Sequence, residues 1–187
     1  EGLIAYDGVP VNKIDLENLR SRISYVPQDV FLFSDSISNN IRFGKNEAST
    51  EQVFNAARQA SIFEEINRFP DAFETMVGER GVTLSGGQKQ RISIARALVR
   101  EPAVVIFDDC LSAVDGKTEQ EILTSLNSYL EGRTAVIITH RIFSLIQFDK
   151  IVVMNEGKIV EMGTHSELLA KNGLYKSMYQ RQQEQEK

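Results

Sequence analysis

The sequence predicts an α/β protein with a mainly helical lobe set into it, on three observations. Two apolar runs, Ala103–Phe107 and Ala135–Thr139, have the composition of strands buried on both faces. A helical pattern from Thr118 to Leu130 lies between them, and a strand, helix, strand order implies a parallel crossover. From about Phe31 to Arg100 the apolar spacing is mostly helical, as at Val53, Ala56, Ala57 and Ala60.

The elements follow in order. Leu3–Tyr6 and Val9–Val11 read as short strands around an Asp7-Gly8 turn. Ile14 to Ser21 reads as a short helix, and Arg22 to Val26 as a strand that stops at Pro27-Gln28. Glu51 to Ala60 predicts a helix, and Ser61 to Phe69 continues the pattern up to Pro70. Ile151–Met154 and Lys158–Val160, around Asn155-Glu156-Gly157, read as a hairpin. Thr164 and Glu167 form a capping-box pattern that opens a late helix. The Gln- and Glu-rich end, Gln180 to Lys187, reads as a frayed tail.

Bulk composition narrows the function. The 187 residues are 42% hydrophobic and 25% charged, within the range of globular domains. A net charge of −5 with no basic block argues against nucleic acid as a partner, because phosphate backbones demand clustered Lys and Arg. The single cysteine, Cys110, rules out an internal disulfide framework. No apolar run approaches the roughly 18 residues that a membrane span requires. The start at Glu1, without an initiator Met, reads as a piece of a longer chain.

Four places carry candidate chemistry. Leu84-Ser85-Gly86-Gly87-Gln88 opens a helix. Ser85 and Gln88 alone make a capping box, so a plain helix start is one reading. Two glycines in a first turn also let a ligand approach bare amides, and a helix N-terminus favours an anion. Asp108-Asp109 follow a buried strand at the edge where α/β sheets bind ligands. They either hold a cation and orient a water or simply end the strand. His140 ends the next strand, and Gln28 ends an earlier one. His140 is either a ligand contact or a hydrogen-bonded strand-end residue, and Gln28 on its own reads as a solvated loop before a ligand contact; His165, inside a capping sequence, is assigned no site. A phosphate-cradling G-x-x-x-x-G-K-[ST] loop is absent, since the position five before Gly116-Lys117-Thr118 is Leu111.

The order of these motifs resembles the ATP-binding cassette (ABC) family over nearly the whole chain. Leu84–Gln88 is similar to its signature, Val104–Asp108 to the Walker B strand, and Ser112-Ala113-Val114-Asp115 to the D-loop. His140 is similar to the switch histidine and Gln28 to the Q-loop glutamine. Tyr25 to Phe33, running on to Gly44, and Val77-Gly78-Glu79-Arg80-Gly81 resemble the exporter branch, the second being similar to the X-loop.

The resemblance implies a partial P-loop NTPase (RecA-like) core, with residues 1–29 and 101–187 in the core and 30–100 as an inserted helical subdomain. It implies ATP and Mg²⁺ as cofactors. Ser85, Gly86, Gly87 and Gln88 would contact ATP carried by a second nucleotide-binding domain, and Ser112 and Asp115 would belong to the D-loop. Asp108 and Gln28 would hold Mg²⁺, while Gln28 and His140 would meet this chain's own ATP and Asp109 would act as the base. Gln28, Glu79 and Arg80 would couple to transmembrane domains, placing the chain at the cytoplasmic face of a membrane. The chain departs from the family twice. Walker A and the adenine-stacking loop are expected before Glu1, so the chain alone is expected to be inactive. Asp109 stands where the family usually has glutamate, as in one subunit of heterodimeric exporters. A non-transport ATPase of the same superfamily, an importer ATPase and a regulatory cassette with little hydrolysis are the competing readings; the first inserts sustained heptads between Gln28 and Leu84, and none occur.

Overall fold

The computed structural model describes residues 2–78, 82–111, 116–142 and 148–185. The chain divides into two compact units, Glu1–Ile138 and Thr139–Lys187.

The first unit opens on an antiparallel pair, β1 (Ala5–Tyr6) and β2 (Val9–Pro10). Asp7 and Gly8 between them both take positive φ, 48° and 77°, the backbone a two-residue hairpin turn of this kind demands. Helix α1 (Leu16–Arg22) is capped by Asp15, whose carboxylate accepts from the Asn18 amide. It feeds β3 (Ile23–Val26), which pairs in parallel with β4 (Val104–Asp108), and β4 pairs in parallel with β5 (Thr134–Ile138). The sheet order is β3-β4-β5, with α6 (Gly116–Leu130) between the last two strands in sequence.

Between β3 and β4 run the helices α2 (Ile37–Arg42), α3 (Thr50–Gln59), α4 (Phe63–Ile66) and α5 (Gly86–Leu98). Serines 36, 49 and 85 cap α2, α3 and α5 through their side chains. Ala56, Ala57 and Ala60 bring α3 close to α5, and Ile37 and Ile41 of α2 are wholly buried with Ile92 and Leu98 of α5 in the same core. Gly44 makes the α2 approach possible, because a Cβ there would overlap the Arg96 carbonyl. Val26, Val105 and Phe107 carry that core onto one face of the sheet. It is one continuous apolar body.

The second unit is a hairpin, β6 (Ile151–Asn155) and β7 (Lys158–Gly163), with α7 (His165–Ala170) and α8 (Leu174–Gln185). Its core is Ile142, Ile151, Val153, Leu168 and Tyr175. Glu161 accepts from the Leu174 and Tyr175 amides and so caps the start of α8.

Three expectations change. β5 is not buried on both faces: Val136 and Ile138 are 44% and 51% exposed, and Tyr25 on β3 is 54% exposed. The period-two alternation sends these three to the sheet face opposite the core, and an apolar run cannot say which face is covered. The helix does not continue from Ala60, because Ser61 takes φ 53° and only Phe63–Ile66 form a further turn. The Gln-rich end stays helical through Gln185, where a frayed tail was expected, since Tyr175 near the start of α8 is anchored in the core of its unit. Among the described residues no helix is long and apolar enough to cross a membrane.

Candidate functional site

The start of α5 is built from local and distant contacts together. The Ser85 hydroxyl accepts from the Gln88 amide at 3.2 Å, and the Ser85 amide donates to Gln88 Oε1 at 3.0 Å. This reciprocal box satisfies two of the terminal groups and holds the first turn in register. Leu84 is buried and anchors the approach, while Ser85 and Gly86 are exposed and Gly87 is half-buried. The glycine pair therefore faces out at the positive end of a 13-residue helix. The other end of the Gln88 amide donates to Glu65 Oε2 at 3.1 Å, and Glu65 also receives the Arg91 guanidinium.

The second cluster lies at the C-terminal ends of β3 and β4. Asp108 is half-buried and accepts a 2.6 Å hydrogen bond from the Tyr25 hydroxyl. That bond, with lesser contributions from desolvation and the Asp108 charge, raises the Tyr25 pKa and keeps the phenol a donor. Asp109 takes φ 45°, a left-handed backbone that Asp tolerates better than most residues, and its amide donates to the Ile138 carbonyl at 2.8 Å. The Gln28 amide nitrogen reaches Asp109 Oδ2 at 3.3 Å. Gln28, Asp108 and Asp109 are thus gathered at one strand edge. Their oxygens are hard donors of the kind Mg²⁺ takes beside water and phosphate, so the set fits that ion. Among the described residues no group of three or more His, Cys, Asp and Glu side chains is assembled. Cys110, the next residue, is buried, and its thiol is pushed up to about 12, chiefly by desolvation, which makes it inert.

Sequence reasoning did not single out Tyr25, Glu65 or Arg91. Tyr25 had a signal: alternation along β3 puts it on the sheet face that Asp108 shares. Glu65 and Arg91 had none, because they meet across 26 positions.

His140 belongs to the second unit, where its carbonyl accepts from the Gln182 side-chain amide. Beside it, the Arg141 amide donates to the Thr139 hydroxyl at 3.0 Å. Glu79, Arg80, Ser112 and Asp115 lie outside the described residues. A groove of about 340 Å³ is lined by Val30, Phe31, Leu32, Val77, Val82 and Leu84, together with Gly78, Thr83 and Lys89. One wall follows Gln28 by two residues and the other runs into Ser85. Arg96 of α5 fixes the first wall: its guanidinium donates to the Phe31 carbonyl at 2.9 Å and to both oxygens of Asn40 at 2.8 and 2.9 Å.

Comparison with known proteins shows the family. Residues 1–112 match the family model described as ABC transporter. The chain is 50% identical over 183 residues to the probable multidrug resistance ABC transporter ATP-binding/permease protein YheI of Bacillus subtilis (strain 168), covering 98% of this chain and 31% of that protein. It is 45% identical over 183 residues to an ATP-dependent lipid A-core flippase of Legionella pneumophila (strain Paris), with the same coverage of 98% and 31%. The solved structure of a bacterial Atm1-family ABC exporter with ATP bound superposes with a TM-score of 0.92 at 42% identity, covering 97% of this chain and 32% of that one. The chain therefore spans 31% of the length of these two curated relatives.

Proposed function

Because the chain belongs to the ABC transporter family, whose members are ATPases, we propose that it is the ATP-hydrolysing cassette of a membrane exporter. The observation that carries this reading is the Ser85-Gly86-Gly87 start of α5, a helix terminus whose Ser85 and Gly86 are exposed and whose Gly87 is half-buried. In this proposal it contacts the γ-phosphate of ATP held by a second nucleotide-binding domain, with Gln88 bracing it. Ser112 and Asp115 are assigned to the same junction.

Asp108 and Gln28 would hold Mg²⁺, which when bound would supply positive charge against the phosphate oxygens. Asp109 is assigned to orient the attacking water, and His140 to donate to the γ-phosphate of this chain's own ATP. The Val30–Leu32 groove, with Gln28, Glu79 and Arg80, would receive the transmembrane domains. The apolar side chains along it, from Val30 to Leu32 and at Val77, Val82 and Leu84, with Lys89 beside them, support that role. The whole assembly would work at the cytoplasmic face of a membrane, and ATP between the domains would close them until hydrolysis.

One observation favours a second reading, a regulatory cassette with little turnover. Asp109 is one methylene shorter than glutamate and is held at φ 45° with Gln28 against it. A catalytic group displaced by about 1 Å costs on the order of 100-fold in rate. The full-length protein, purified alone and then with a candidate partner subunit, separates the readings. ATPase activity that appears only with the partner, and that Ser85→Ala lowers at the partner's site, supports the proposal; no activity in either preparation overturns it. The 187-residue chain has no G-x-x-x-x-G-K-[ST] loop, so calorimetric titration with Mg-ATP should show no micromolar binding.

A further inference from the structure

Behind the start of α5 lies a set of contacts that neither the motifs nor the proposed roles use. Glu65, the third residue of α4, spends both carboxylate oxygens on α5. Oε1 accepts from Arg91 Nη1 at 2.5 Å, and Oε2 accepts from Arg91 Nη2 and Gln88 Nε2, each at 3.1 Å. Arg91 is 8% exposed and also donates to the Ser61 carbonyl at 2.8 Å and the Gly87 carbonyl at 3.3 Å. A forked, charge-assisted pair of this kind fixes direction as well as distance.

The asymmetry of the Gln88 amide gives the cluster its consequence. One end of that group donates and the other accepts. A carboxylate can only accept, so Glu65 compels Gln88 to turn its nitrogen inward. Its oxygen must then face the Ser85 amide, which is the bond that closes the capping box. Were Glu65 a donor, the amide could flip and the box would lose its acceptor. The ionised state suits the task. Desolvation pulls the Glu65 pKa up, yet the hydrogen bonds from Arg91 and Gln88 with the nearby cationic charge bring it below the usual value of 4.5.

We propose that Glu65 is a positioning residue for the nucleotide-contacting helix start, acting through the polarity of the Gln88 amide to hold Ser85, Gly86 and Gly87 in register. The proposal rests on the reading that this helix start contacts ATP. It adds that α4 and the signature turn move as one body, because Arg91 binds the carbonyl of Ser61 ahead of α4 and that of Gly87 inside the turn.

An exchange of the two side chains tests it in the full-length protein. Glu65→Gln removes the obligatory acceptor. Gln88→Glu keeps an acceptor for Ser85 and leaves the Glu65–Arg91 pair intact, but sets two carboxylates face to face. Each single variant should lower kcat by on the order of 10-fold to 100-fold. The double variant Glu65→Gln with Gln88→Glu restores a donor facing an acceptor, and should raise kcat several-fold above either single variant. Melting temperatures are read alongside, since a merely structural role would track stability and not the polarity of the pair. Gln88→Glu keeps the buried Arg91 neutralised, so it stays informative if Glu65→Gln folds poorly. Single variants with parental kcat, or a double variant no better than the worse single, overturn the proposal while Ser85→Ala still impairs turnover. Unimpaired turnover in Ser85→Ala overturns instead the reading on which the proposal stands.

Discussion

The two polar clusters of the first unit are built on opposite plans. At the start of α5, Ser85, Gln88, Glu65 and Arg91 bond one another, and Leu84, Ile92 and Leu98 pack the helix into the core. At the ends of β3 and β4, Asp108 and Asp109 are neighbours of like charge, with the Tyr25 hydroxyl on the first and the Gln28 amide on the second. The helix start is finished by the fold: its capping box is closed by contacts within the protein. The strand edge sets two carboxylates of like charge side by side, an arrangement that a cation would relieve. A helix terminus carries its own field and needs only to be held still. Carboxylate oxygens at such an edge are hard donors of the kind that a divalent cation takes.

If that contrast is sound, the largest effect belongs to the strand edge. Asp108→Asn in the full-length protein should lower ATP turnover by on the order of 100-fold or more, because a neutral amide cannot anchor a divalent cation as a carboxylate does. Steady-state ATPase assays across a Mg²⁺ titration check this, and a parental rate at saturating Mg²⁺ would remove the strand edge from the mechanism. Asp109→Glu should act in the other direction, raising turnover at this site on the order of 10-fold by restoring reach toward the water. The gain comes with a small fall in melting temperature, because glutamate is less at ease than aspartate at φ 45°. An unchanged rate would mean that reach does not limit the site.

The smallest effect sharpens the helix-start side. Glu65 has a folded-state pKa below its usual 4.5, so its contribution to stability is present above that value and is lost as pH falls through the lowered one. Thermal melts from pH 7 downward should therefore show the parent and Glu65→Gln separated near neutrality and converging below about pH 4.5. The Glu65 side chain is 35% exposed, so solvent screens the pair and the separation will be modest. Parallel melting curves across that range would show that the Glu65 charge does not hold the turn.

Much of the architecture was legible because its signals are local. The Asp7-Gly8 turn, the boxes at Ser85 and Thr164, and the β6–β7 hairpin each depend on residues within a few positions of one another. The apolar strands of the sheet were legible as strands, but not which face of β5 lies bare. Gln28 and Asp108 were read as strand-end residues from the Pro27 stop and the apolar run. The bond from Gln28 to Asp109 spans 81 positions and could be read from neither segment.

The sequence by itself determined where helices start, where strands turn and which polar residues stand at their ends, since capping, turn chemistry and hydrophobic period act over one to four residues. Tertiary structure alone decided that Tyr25 meets Asp108 across 83 positions, that Glu65 governs the orientation of Gln88, and that the face of β5 carrying Val136 and Ile138 is open. Those outcomes depend on the register of parallel strands and the docking of α4 on α5, and such long-range pairings are settled by burial of a shared core rather than by any local preference.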